Sequence, residues 1–119
     1  MGLLTVDDLA RTPPALREWG AALASRDPGL IASLYARQSI LLSTLDPVPK
    51  LGRRAITGYF VDLVKRRGLH VVFQRVWPVG RGVYTGLYRF VWDGGELPAR
   101  FTLVVGPEGI THHHSSQLP

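Results

Sequence analysis

The residue pattern predicts an α+β fold: N-terminal helices packed in the concavity of a strongly curved, mostly antiparallel sheet, a cone-like roll. Three observations predict it. Apolar residues recur at helical spacing in three segments of the first half of the chain. The second half is a series of β-rich runs separated by short glycine-bearing turns. Within those runs Gly80, Gly82, Gly86 and Pro78 occupy bulge or bend positions that let a sheet curl around its helices. A length of 119 residues suits a single domain over residues 1–119 with one hydrophobic core.

Each element has its own signal. Pro13-Pro14 is compatible with a helix start, and Leu16, Trp19, Ala22 and Leu23 then share one helical face. "SRDPGL" breaks that helix. Asp27 can cap the next one with Pro28 at its first position, and Leu30, Ile31, Leu34 and Tyr35 supply its apolar stripe. "SILLSTL" (39–45) reads as a short buried strand. A loop with two prolines, Asp46 to Gly52, leads to the third helix. There Ile56, Tyr59, Phe60, Leu63 and Val64 repeat at helical spacing, and Asp62 and Arg66 stand four apart as an ion pair. "LHVVFQRVWPV", "VYTGLYRFVWD", "ARFTLVV" and "ITHHHSS" follow as an antiparallel meander of four strands.

Composition narrows the function. Hydrophobic residues make up 45% and charged residues 19%, a globular balance. The net charge of +5 comes from 12 Arg and 2 Lys against nine acids. Arginine is favoured where planar anions are gripped by paired hydrogen bonds. These arginines are scattered and accompany no nucleic-acid signature, so a small anion is a better partner than nucleic acid. The absence of cysteine excludes thiol catalysis, disulfides and thiolate metal sites. "MGLLTVDDLA" lacks the basic start and apolar run of a signal peptide, and no stretch of about 18 apolar residues exists to span a membrane. A cytoplasmic protein is the expectation.

The ending "THHHSSQLP" holds the densest chemistry. Three histidines entered through Gly109-Ile110-Thr111 and left through Leu118-Pro119 are unlike a purification tag. On a strand, alternate residues share a face, so His112, His114 and Ser116 point one way and His113 and Ser115 the other. With Ile110 as an apolar entry, the first set is expected to line the pocket. The alternative is that the histidines are hydrogen-bonded core or interface residues. Zinc wants three or four ligands. The only other histidine is His70, and Asp46, Asp93, Glu96 and Glu108 fall in turns or loops, so neither metal nor cofactor is expected. The same shortage of acids argues against carboxylate general bases and against a Ser-His-acid triad.

The element order, with "LYA", "ILLSTL", "AITGYF", "GLYRFVW", "ARFTLVV" and "HHHSSQLP", resembles the cone-shaped α+β fold of the nuclear transport factor 2-like superfamily. Within it the chain is similar to the branch holding the calmodulin-dependent kinase association domain. The ending also resembles that of iota-class carbonic anhydrases. That resemblance implies a metal-free site for reversible hydration of carbon dioxide to bicarbonate, with a Thr, a Tyr and a Ser at Thr44, Tyr59 and Ser116. His114 could then shuttle the proton, because imidazole titrates near neutral pH. Arg100 resembles a pocket arginine of the kinase association domain, and Tyr88, with Trp77, is expected as pocket wall or core. His112 joins Arg100 and Tyr88 as a ligand-binding candidate. The rival reading is a non-catalytic module that binds a small anion or metabolite and self-associates, with a homodimer through the sheet expected in either case.

Overall fold

The computed structural model describes residues 12–119, so the reading of "MGLLTVDDLA" lies outside the described residues. Helix α1 (Pro14–Ser25) buries Leu16, Trp19, Ala22 and Leu23, the four residues its periodicity predicts. It ends where Arg26 turns left-handed, at φ 60°. Helix α2 (Pro28–Ser33) starts on Asp27, whose carboxylate accepts from the backbone N–H groups of Gly29 and Leu30 at 3.0 and 3.2 Å.

Strand β1 (Tyr35–Leu42) begins four residues earlier than expected. Tyr35 therefore leaves the predicted helical stripe, and Leu30 of that stripe is 47% exposed. The cause is helix length: α2 is only six residues, too short to carry the stripe through Tyr35. A two-residue strand, β2 (Lys50–Leu51), sits inside the expected loop. Helix α3 (Gly52–Leu63) buries Ile56, Phe60 and Leu63. Its predicted Asp62–Arg66 pair does not form: Asp62 takes Lys65 at 3.1 Å, while Arg66 lies over the Trp92 ring at 5.5 Å.

The meander follows as β3 (His70–Gly80), β4 (Val83–Trp92), β5 (Gly95–Gly106) and β6 (Gly109–Gln117). The six strands form one sheet in the order β2-β1-β6-β5-β4-β3. Neighbours are antiparallel except β1 and β6, which run parallel. Gly82 takes the positive φ, 70°, of the β3–β4 turn. A side chain on Gly86 would collide with the carbonyl of Arg75, beside a register break between Phe73 and Arg75, so this predicted bend is a real close approach. Glu96, expected in a turn, lies on β5 and pairs with Arg89 at 2.7 Å.

One face of the sheet packs on the helices. Along β5 the buried residues are Leu97, Ala99, Phe101 and Leu103, and along β4 they are Tyr88 and Phe90. Trp19 of α1 meets this face edge-on at Phe73 and Phe90 and stacks with Tyr88 at 6.0 Å between ring centroids. No described helix is long and apolar enough to cross a membrane.

Candidate functional site

The last strand decides the site, and its register overturns the face predicted for it. Val105 pairs with Ile110, but the next residue of β5, Val104, pairs with His112. β6 therefore carries one extra residue at this point, a bulge that shifts the inward phase by one. Ile110 is inside, and so are His113 and Ser115, at 2% and 4% exposure. His112, His114 and Ser116 lie on the outer face. Arg100 is also outside and exposed, opposite Ser116. Its strand shows why: odd-numbered Leu97, Ala99, Phe101 and Leu103 take the core side. That apolar alternation was readable in the sequence and would have placed Arg100 correctly.

Inside, a line of polar atoms runs through the apolar core. The Trp19 indole N–H donates to the Tyr35 hydroxyl at 3.0 Å. That hydroxyl meets His113 Nδ1 at 2.7 Å, and His113 Nε2 meets the Tyr88 hydroxyl at 3.1 Å. A separate pair stands next to it, in which Ser115 Oγ is hydrogen-bonded to Thr44 Oγ1. Four side chains, from α1, β1, β6 and β4, thus form the line, and the pair beside it ties β6 to Thr44 on the loop after β1.

Burial sets the protonation of this line. Desolvation, with the neighbouring His112 and His114 as lesser causes, pushes His113 down to about 3, so the ring is neutral at ordinary pH. Burial also raises the Tyr35 and Tyr88 phenols, which stay protonated. The His113 ring is held edge-on by Trp19 at 5.3 Å between centroids and nearly parallel to Tyr35 at 6.1 Å.

The line ends at a cavity. Thr44, Ser43, Tyr59, Tyr88, His113 and Ser115 supply its polar lining, and Trp19, Leu41, Phe60 and Phe90 its apolar wall. The space open to the centre of a water-sized sphere is about 10 Å³, about the least that holds one water. Tyr59 separates this cavity from an outer cleft edged by Asp46, Lys50, Asp62 and Arg66. Burial raises the Tyr59 phenol, against hydrogen bonds from Ser43 and the Leu45 backbone and the charge of Arg66. The loop is braced by Asp46, which accepts from Val48 N–H at 2.9 Å and from Lys50 Nζ at 2.7 Å.

The structure therefore brings together Thr44, Tyr59 and Tyr88 of the expected residues, and leaves His112, His114, Ser116 and Arg100 on the other face. Sequence reasoning missed His113 and Ser115, through the bulge, and Tyr35, through its helical assignment. Among the described residues, no group of three or more His, Cys, Asp or Glu side chains is placed to hold a metal ion.

Comparison with known proteins gives the fold. No family model matches the chain, and no curated protein matches it. Solved structures do. A Xanthomonas campestris protein assigned as a calcium/calmodulin dependent protein kinase II association domain is 27% identical, with a TM-score of 0.75 over 87% of this chain and 83% of that one. A Catenulispora acidiphila protein with a ketosteroid isomerase-like fold, in complex with trimethylamine, is 21% identical, with a TM-score of 0.74 over 87% and 85%. A Mycobacterium tuberculosis protein in complex with estradiol-17beta-hemisuccinate is 17% identical, with a TM-score of 0.71 over 85% and 88%.

Proposed function

With membership of the nuclear transport factor 2-like superfamily as the premise, we propose that this chain holds a small molecule of the carbon dioxide and bicarbonate class in the cavity of Thr44, Tyr59, Tyr88 and Ser115. One observation carries the reading. Two hydroxyls meet on a water-sized space whose other walls are aromatic and aliphatic. Two structural neighbours hold estradiol-17beta-hemisuccinate and trimethylamine, so the fold accommodates small-molecule pockets. A steroid is far too large for the cavity of this chain, and carbon dioxide or bicarbonate, of three and four heavy atoms, requires its lining to yield.

Turnover is the second reading, favoured by the convergence of a Thr, a Tyr and a Ser hydroxyl with Ser115 in place of Ser116. Hydroxyls can orient water against carbon dioxide, and preorganised donors can stabilise the developing bicarbonate. The attacking water must also lose a proton. His113 has both ring nitrogens engaged and resists protonation, and His114 lies on the outer face, so neither supplies the shuttle. Catalysis would rest on positioning alone and be modest beside metal-assisted hydration. Self-association belongs to the outer face, where Trp77 and Ile40 are 49% and 40% exposed. A homodimer through that face is our proposal for it.

The test is a titration of the labelled protein with bicarbonate, followed by amide shifts, alongside stopped-flow hydration of carbon dioxide. Binding is expected to move Thr44, Tyr59 and Ser115. Ser115→Ala should weaken it at least tenfold, and Ser116→Ala should leave it unchanged. No shift at the cavity with millimolar bicarbonate ends the proposal. Hydration above the buffer rate, lost in Ser115→Ala, would establish turnover.

A further inference from the structure

We infer that the buried line of hydrogen bonds runs in one direction and that it and the Ser115–Thr44 pair beside it present surplus hydroxyl protons to the cavity, which therefore takes a hydrogen-bond acceptor and rejects a cationic donor. The inference rests on the cavity being the site and specifies the chemistry of its occupant.

The direction starts at Trp19. An indole N–H only donates, so the Tyr35 oxygen accepts at 3.0 Å. Tyr35 then has its own proton to place, and His113 Nδ1, at 2.7 Å, is its partner. If Nδ1 carried a proton instead, the Tyr35 hydroxyl hydrogen would be stranded without a partner in the core. His113 is therefore protonated on Nε2, which donates to Tyr88 at 3.1 Å. Tyr88 thus keeps its own proton, and Ser115 shares one with Thr44.

The result does not depend on how that last pair is arranged. Trp19, Tyr35, His113 and Tyr88 bring four protons to three contacts, and Ser115 and Thr44 bring two to one. One proton is left over on Tyr88 and another on Ser115 or Thr44, and all three residues line the cavity. Hydrogen bonds in such a chain polarise one another, so the final O–H is a stronger donor than an isolated hydroxyl. Among the described residues, no Asp or Glu lines the cavity to receive a cation. Formate, bicarbonate or a carbonyl oxygen fits this terminus; an ammonium group does not.

The experiment uses the full 15N-labelled chain. Long-range 1H–15N correlations should show His113 with a protonated Nε2 and a bare Nδ1. Formate should shift the His113 Nε2–H resonance and the Ser115 and Thr44 amides, and methylammonium should shift none of them. Thr44→Val, near in shape, should weaken formate at least tenfold while holding the Nε2–H tautomer. Tyr35→Phe should let the tautomer mix. A protonated Nδ1 in the parent chain, or methylammonium seated at these residues, overturns the inference. Formate binding without bicarbonate binding removes the proposed occupant and leaves the polarity intact. If neither formate nor methylammonium binds, the acceptor claim falls together with the reading of the cavity as a site.

Discussion

The two faces of β6 carry nearly the same chemistry and have opposite surroundings. Outside, His112, His114 and Ser116 stand half-buried beside Ile40, Leu42, Thr102 and Arg100, and among the described residues none of the three side chains makes a hydrogen bond. Inside, His113 and Ser115 are enclosed, and each polar atom meets a named partner. A histidine on a wet face is held by little beyond its backbone. A histidine in the core must have both nitrogens satisfied or cost the fold several kcal/mol. Identical residue types one position apart thus serve as surface in one case and as an internal framework in the other.

Acid should separate the two faces most sharply. The folded chain depresses His113 from 6.5 to about 3, so between those values the unfolded chain binds the additional proton. That contribution to stability is complete above pH 6.5 and is lost as pH falls toward 3, amounting to roughly 5 kcal/mol. Urea unfolding at a series of pH values should show this slope, and His113→Gln should flatten it. A parent chain equally stable at pH 4 and pH 7 would break the comparison.

Truncation should give the next effect. His113→Ala strands the Tyr35 and Tyr88 hydroxyls and leaves a void beside Trp19, a loss of about 4 kcal/mol. His112→Ala and His114→Ala should each stay within about 0.5 kcal/mol. Chemical denaturation of the three variants tests the contrast, and a costly His114→Ala would show that the outer face is covered by a partner. The smallest effect is expected from single hydroxyls. Tyr35→Phe should lose about 1–2 kcal/mol in the same measurement, and Ser116→Ala should be neutral. A neutral Tyr35→Phe would mean that water replaces the missing link.

The sequence was most informative where a pattern is local. Leu16, Trp19, Ala22 and Leu23 lie within two turns of one helix, and Asp27-Pro28 states its own cap, so both were legible without the fold. Thr44 and Tyr59 were found through resemblance and Tyr88 was expected as pocket wall or core, and the three lie together at the cavity. The errors share one cause, which is phase. Strict alternation from Ile110 puts His112 and His114 inward, and only the pairing of β6 with β5 reveals the extra residue that reverses them. Tyr35 continues a helical stripe in the sequence, yet its partners, Trp19 and His113, are 16 and 78 residues away.

By itself, then, the amino-acid order determined the α+β class, the first helix, the meander and the concentration of polar groups in the last strand. Those follow from periodicity and turn chemistry, which act over a few residues. The tertiary structure alone decided which histidine is internal, which serine meets Thr44 and which way the protons run. A side chain on a strand has two faces available, and choosing between them takes one inserted residue in the ladder and an apolar core on one side.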